Sequence, residues 1–198
     1  PFIFAVRQFR AANVVTVAVY AGLGVLFFLL VIQLQQVLGY SAVEAGAATL
    51  PVTLLMLLLS ARSGRLADRI GPRLQMSGGP LLVAAGLLWM SRIDAGYQYL
   101  TGVLPPVIVV GLGLSATVAP LTSTALSAID DQYAGVASGV NNTVSRASQM
   151  AAVAAVPVFA GLTGDALEDP EQFSSGFTTG MMIGAGLVAA GGVLGWLG

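Results

Sequence analysis

Residues 64–73 read GRLADRIGPR, three arginines and an aspartate set between two long apolar runs, with Arg62 just upstream. Such a cluster cannot lie in hydrocarbon, where a single charged side chain at the centre of a spanning helix costs about 2.5 kcal/mol or more. It predicts a short turn on the cytoplasmic side of a membrane, because arginine and lysine accumulate in the loops on that side. Gly71 and Pro72 supply the reversal, since the missing N–H of proline is not needed in the first turn of a helix. Asp68 stands between Arg65 and Arg69 and can pair with either, or cap a neighbouring helix N-terminus whose partial positive charge favours carboxylate. Breakable charge pairs at a helix end suit a protein with two arrangements. A merely positive inside loop uses the same residues.

Composition agrees with a membrane setting. The chain is 56% hydrophobic and 9% charged with a mean hydropathy of +0.86, whereas soluble domains are about a quarter charged. Six apolar stretches, 13–32, 42–61, 74–90, 100–126, 136–162 and 177–197, each come close to the roughly 20 residues that cross a hydrocarbon core of about 30 Å as helix. They are continuously apolar and do not alternate in steps of two, which selects helices over a barrel. Six spans in 198 residues leave only short connections. The expected organisation is therefore an all-α membrane protein, with an interfacial segment over 1–12 and one six-helix bundle over 13–198. Glycines fall inside the apolar runs in small-xxx-small spacing, Gly135 with Gly139, Gly180 with Gly184 and Gly191 with Gly195. That spacing either brings helix backbones together or occurs by chance in glycine-rich helices.

Absences narrow the function. Without Cys there is no disulfide, thiolate nucleophile or Cys metal site, and without His no imidazole base or ligand. An enzyme, a bound cofactor and a metal centre are not expected. A net charge of −1 offers no basic surface for nucleic acid. The opening PFIFAVRQFR lacks the basic, apolar, small-residue order of a signal peptide. A start at Pro1 and not Met makes a continuation upstream the expectation. Orientation follows from the arginines. With the N-terminus cytoplasmic, Arg7, Arg10, Arg62, Arg65, Arg69 and Arg73 are all inside, Arg92 alone is outside, and six helices return the C-terminus to the cytoplasm. The acidic stretch 165–171 then lies outside.

Polar residues within spans are costly and by default mark a pathway. The fifth span carries Asn141, Asn142, Arg146 and Gln149; the last three follow at spacings of four and three and share one helix face. Arg146 lies about 15 Å along from Val136, too deep to reach the surface easily, and needs an acidic or carbonyl partner. No acid in the chain is an evident match at that depth. The alternative is a helix that starts later and leaves Arg146 snorkelling.

Gly64, Asp68, Arg69, Gly71 and Arg73 resemble the G-x-x-x-D-R-x-G-x-R signature of the major facilitator superfamily, found between the second and third helices of each six-helix half. The stretch AGVASGVNNTVSR, 134–146, resembles the fifth helix of the C-terminal half in the drug:proton antiporter branch, many of whose members have fourteen spans. YSAVEAGAATLP, 40–51, is similar to the opening of that half's second helix. The chain departs from the branch after Arg146, with Ala147, Ser148, Gln149 and Met150 where a Gln and paired glycines are common.

The resemblance implies the C-terminal half of a multidrug efflux transporter in the cell membrane, coupled to protons, with its N-terminal helical half as partner, the bilayer around it and a small-molecule substrate. It implies gating by Gly64, Arg65, Asp68, Arg69, Gly71 and Arg73. It also implies a cavity lined by the first and fourth helices, where Tyr20, Gln33 and Gln36 join the pathway and Pro105, Pro106, Gly111, Gly113 and Pro120 allow bending. Phe27, Phe28 and Met56 could form an apolar wall. Folds of this kind contain three-helix repeats of inverted topology, and 44–47 (EAGA) is similar to 137–140 (ASGV). A non-transporting scaffold or half-size partner subunit is the competing reading, and a channel is disfavoured because no charged ring or filter sequence occurs.

Overall fold

A computed structural model of the protein describes the backbone of residues 5–197 and every side chain there except those of Asp68, Ile70 and Asp131. The elements are helices α1 (Arg7–Gln36), α2 (Ala42–Ala48), α3 (Leu50–Ile70), α4 (Pro72–Met90), α5 (Leu104–Ser127), α6 (Ala134–Phe159) and α7 (Pro170–Leu197). Because α2 and α3 form one run interrupted at Thr49, these helices fall on the six stretches read as spans. Four of them are long and apolar enough to cross a membrane: α1, Ala42–Ala67, Tyr99–Ser127 and α7. The other two, α4 and α6, are helical where spans were expected. Their hydropathy is diluted by Arg73 and Gln75 in one and by Asn141, Asn142, Arg146 and Gln149 in the other.

The decapeptide 64–73 is not a loop. Its first seven residues complete α3, Pro72 and Arg73 open α4, and Gly71 alone connects them, with φ 85° and ψ 148°. Positive φ carries little penalty only for glycine, so one residue suffices for the reversal. Residues 1–4 of the expected interfacial segment lie outside the described residues, and most of the rest is helix, since α1 already includes Arg7 and Arg10. At the opposite end, α7 starts at Pro170, earlier than the expected 177. Asp169 is the reason: its carboxylate accepts the backbone N–H groups of Glu171 and Gln172 at 2.9 and 3.2 Å. Those bonds, the Gln172 N–H foremost, hold the Asp169 carboxyl below its ordinary range.

Pro105 and Pro106 do not kink the middle of a helix. They occupy the first turn of α5, just after a π-helical turn over Tyr99–Val103 in which the N–H of Leu104 reaches back to the Tyr99 carbonyl. Pro120 does lie inside α5, as do Pro80 in α4 and Pro157 in α6, which the sequence reading passed over.

The most extensive interfaces are α4 with α5, α1 with α7, α4 with α7, α3 with α5 and α1 with α6. Exchanging the first three spans for the last three maps this set onto itself: α4·α5 becomes α7·α1, α3·α5 becomes α6·α1, and α4·α7 is unchanged. The glycines repeat the symmetry. A Cβ on Gly113 would lie 2.9 Å from the Gly79 carbonyl oxygen and would also meet Val83, four residues on. A Cβ on Gly22 would lie 3.2 Å from the Gly184 carbonyl oxygen and would also meet Val188, again four residues on. The bundle is thus two three-helix units with one packing scheme, consistent with the similarity of 44–47 to 137–140.

The buried core runs along α1, where Leu26, Leu29, Leu30 and Leu34 meet Phe173, Phe177 and Met181 of α7. Of the expected glycine pairs, Gly180 and Gly184 serve this seam against Leu29 and Val25, whereas the third pair is split, Gly191 facing Ala18 of α1 and Gly195 facing Met76 of α4. Gly135 and Gly139 face open space. The exposed large apolar residues include Leu54, Leu57 and Leu58 of α3 and Met150, Val158 and Phe159 of α6.

Candidate functional site

The long helix α1 places Tyr20 opposite the middle of α6, and the tertiary fold gathers five of the seven expected pathway residues there. Tyr20, Asn141, Asn142, Arg146 and Gln149, with Thr122, Ser138 and Ser145, line a cavity of about 340 Å³. Helical spacing along α6 explains the cluster, because each of 138, 141, 142, 145, 146 and 149 lies three or four residues from another of the set. Arg146 is exposed and its Nε donates to Asn142 Oδ1 at 3.3 Å, one turn back.

Asn141 turns inward from this row. It is buried, and its amide donates to Asn13 Oδ1 at 3.3 Å and Thr16 Oγ1 at 3.2 Å on α1. Buried amides in hydrocarbon need such partners, so these bonds fix how α1 and α6 sit against each other. Asn13 and Thr16 were missed in the sequence, where they read as the ordinary start of a span. Their spacing of three and their apolar surroundings were the available signal.

A second cavity, of about 610 Å³, continues from the first. Leu23, Gly24, Phe27 and Phe28 of α1 and Gln149, Met150, Val153 and Ala154 of α6 line it, and Gln149 belongs to both. The two helices touch at this junction, because a Cβ on Gly24 would lie 2.7 Å from the Gln149 carbonyl oxygen and 3.0 Å from its Cα. Close packing after Arg146 is therefore achieved without glycines on α6; α1 supplies one, Gly24. Phe27 and Phe28 line this groove as the expected apolar wall, while Met56 of α3 does not.

Gln33 and Gln36 are not brought to the crevice. Gln33 is fully buried and donates to the Ile93 carbonyl at 2.8 Å and to Ser174 Oγ at 3.3 Å, tying the end of α1 to the loop after α4 and to α7. Gln36 is exposed at the last residue of α1. Gly111 and Gly113 lie at helix contacts, Gly111 against Val52 and Leu55, Gly113 against Val83.

The arginines of the signature stand apart from the crevice. Arg62, Arg65 and Arg69 line one face at the end of α3 with Leu66, and Arg62 and Arg65 each donate to a backbone carbonyl one turn back. Arg73 shares a cavity of about 420 Å³ with Arg7, at the start of α1 and α4. Gly64 lies in α3 with nothing near its Cα that a methyl would meet. The Asp68 side chain lies outside the described residues, so its pairing with Arg65 or Arg69 rests on the sequence. Among the described residues no group of three or more metal-ligating side chains occurs.

Residues 1–153 match the Major Facilitator Superfamily family model. The puromycin resistance protein pur8 of Streptomyces alboniger is 31% identical over 188 residues, covering 89% of this chain and 37% of that protein. The lincomycin resistance protein of Streptomyces lincolnensis is 30% identical over 187 residues, covering 94% of this chain and 38% of that protein. The cephamycin export protein CmcT of Amycolatopsis lactamdurans is 34% identical over 118 residues, covering 59% of this chain and 24% of that protein. The chain thus spans about a quarter to two fifths of the length of these curated relatives. With the family matched over residues 1–153 of 198, this multi-pass membrane chain belongs to the major facilitator superfamily.

Proposed function

We propose that the chain is the C-terminal six-helix half of an exporter of drug-like or amphipathic small molecules, which works by alternating access with an N-terminal helical half. The observation that carries this reading is the crevice between α1 and α6, where residues from Tyr20 to Gln149 converge beside an apolar groove. The apolar side chains exposed on α3 and α6 suit a surface that a companion bundle covers. Relatives named for cephamycin export and for puromycin and lincomycin resistance support export of drug-like compounds. Coupling to protons follows from the likeness to the antiporter branch. A scaffold would give the crevice no use.

The arginine-rich end is cytoplasmic in this proposal, in the cell membrane, with the α3–α4 turn inside and Asp169 outside. The chain has no cysteine, so Arg73→Cys and Asp169→Cys give unique labelling sites within it. An impermeant thiol reagent applied to intact cells should label the second and spare the first, and the reverse pattern removes the orientation. In the full-length protein, Arg146→Ala should lower efflux at least tenfold with unchanged membrane abundance; undiminished efflux takes Arg146 out of the pathway. Asp68→Asn should slow transport severalfold through the gating cluster. Normal transport at normal expression eliminates that role.

A further inference from the structure

Two facts about the α1–α6 crevice define what it can hold. Charge comes first. Its polar cavity contains one ionised side chain, Arg146, surrounded by hydroxyls and amides of Tyr20, Thr122, Ser138, Asn142 and Ser145. Neither α1 nor α6 contains a single Asp or Glu anywhere along its length, and among the described residues no acid lines either cavity. Guanidinium stays charged at any accessible pH and offers a planar fork of donors that matches a carboxylate or phosphate in two parallel hydrogen bonds. Its one side-chain partner among the described residues, Asn142 Oδ1 at 3.3 Å, is neutral and takes only Nε. The terminal guanidinium nitrogens have no side-chain acceptor among the described residues.

Order along the helix axes is the second fact. Ser138 and Thr122 lie near the arginine-rich ends of α6 and α5, and Arg146 lies about 18 Å along α6, near its middle. Beyond Gln149 the lining becomes Leu23, Phe27, Phe28, Met150, Val153 and Ala154, toward the far end of the bundle. The sequence is therefore polar, cationic, then apolar. An amphiphile resting in the leaflet on the arginine-rich side has the same order, headgroup toward that surface and apolar body toward the midplane.

Resting on the transport reading above, we infer that the crevice selects anionic amphiphiles, binding their carboxylate, phosphate or sulfonate at Arg146 with the apolar body in the groove beyond Gln149. Removing the guanidinium changes which charge is accepted; lengthening a groove side chain blocks both charges alike. A guanidinium attracts an anion and repels an ammonium of the same shape, so the two effects separate.

The test measures efflux of pyrenebutyrate and of pyrenebutyltrimethylammonium, which share one aromatic body, from cells carrying the full-length protein. The unaltered protein and Arg146→Lys should export pyrenebutyrate in preference. Arg146→Gln should lower the ratio of pyrenebutyrate efflux to ammonium-probe efflux at least tenfold. Val153→Trp, which fills the groove, should lower efflux of whichever probe the unaltered protein exports, with membrane abundance retained. Equal loss of both probes in Arg146→Gln overturns the charge selection while leaving the crevice as pathway. Efflux of the ammonium probe alone, or of neither probe, by the unaltered protein also overturns the selection. Indifference of both probes to Arg146→Gln and Val153→Trp defeats the pathway reading itself.

Discussion

Gly24→Val in the full-length protein is expected to abolish efflux and to lower thermal stability in detergent. The Cβ of any larger residue at 24 would stand 2.7, 3.0 and 3.3 Å from the carbonyl oxygen, Cα and carbonyl carbon of Gln149. All three are backbone atoms, so no rotamer change relieves the clash and α1 must move away from α6. Overpacking of this kind costs about 1–3 kcal/mol where the surroundings relax. Here relaxation pulls apart the Asn141 bonds to Asn13 and Thr16 and opens the junction between the two cavities. Gly24→Ala should show a smaller loss in the same direction. Gly46→Val, at a position with nothing within 4 Å, is the matched control. Efflux and melting temperature equal to the control's would remove the α1–α6 contact as a determinant of the site.

Gly113→Val should have the larger effect on folding, because it strikes the α4–α5 seam, the most extensive in the bundle. Its Cβ would lie 2.7 Å from the Val83 backbone nitrogen and 2.9 Å from the Gly79 carbonyl oxygen. Gly79 meets the same seam from the other side, with its own Cβ position 3.1 Å from the Gly113 carbonyl oxygen. Where two backbones meet without side chains, dispersion contacts and close peptide packing hold the helices together, since lipid tails leave no hydrophobic drive for association. The expected result is a sharp fall in monodisperse protein on size-exclusion chromatography after solubilisation. Gly22→Val should reproduce it, because the Gly22–Gly184 crossing is the repeat-related equivalent. Monodisperse yields for both variants matching those of Gly46→Val would contradict the packing scheme.

Residue by residue, the legible features were those whose cost is local. The arginines at 62, 65, 69 and 73 marked a membrane surface because each charge is excluded from hydrocarbon on its own account. Gly71 and Pro72 were legible as the reversal for the same reason: one needs only its own φ, the other only its own missing N–H. The row Asn142, Arg146 and Gln149 was legible because three- and four-residue steps place side chains on one face whatever lies opposite. The extent of the turn was not. That α3 continues to Ile70 and leaves Gly71 as the whole connection goes with the packing of both α3 and α4 on α5, a third helix that the stretch itself does not contain.

Gln33 and Asn141 had the same appearance in one dimension, a polar side chain in an apolar run, and the fold gave them different places. Gln33 became a buried tie to Ile93 and Ser174, and Asn141 a clamp at the edge of the crevice. Gly135 and Gly139 matched the packing spacing as well as Gly180 and Gly184 did, yet only the second pair meets another helix within this chain. The amino-acid order by itself determined that the chain is a set of apolar helices with one charged end, because hydropathy and helical period are properties of single segments. Tertiary structure alone decided which glycines touch, which polar groups are satisfied and that Tyr20 stands across from Arg146, because each of these requires a surface on a second helix that no single segment contains.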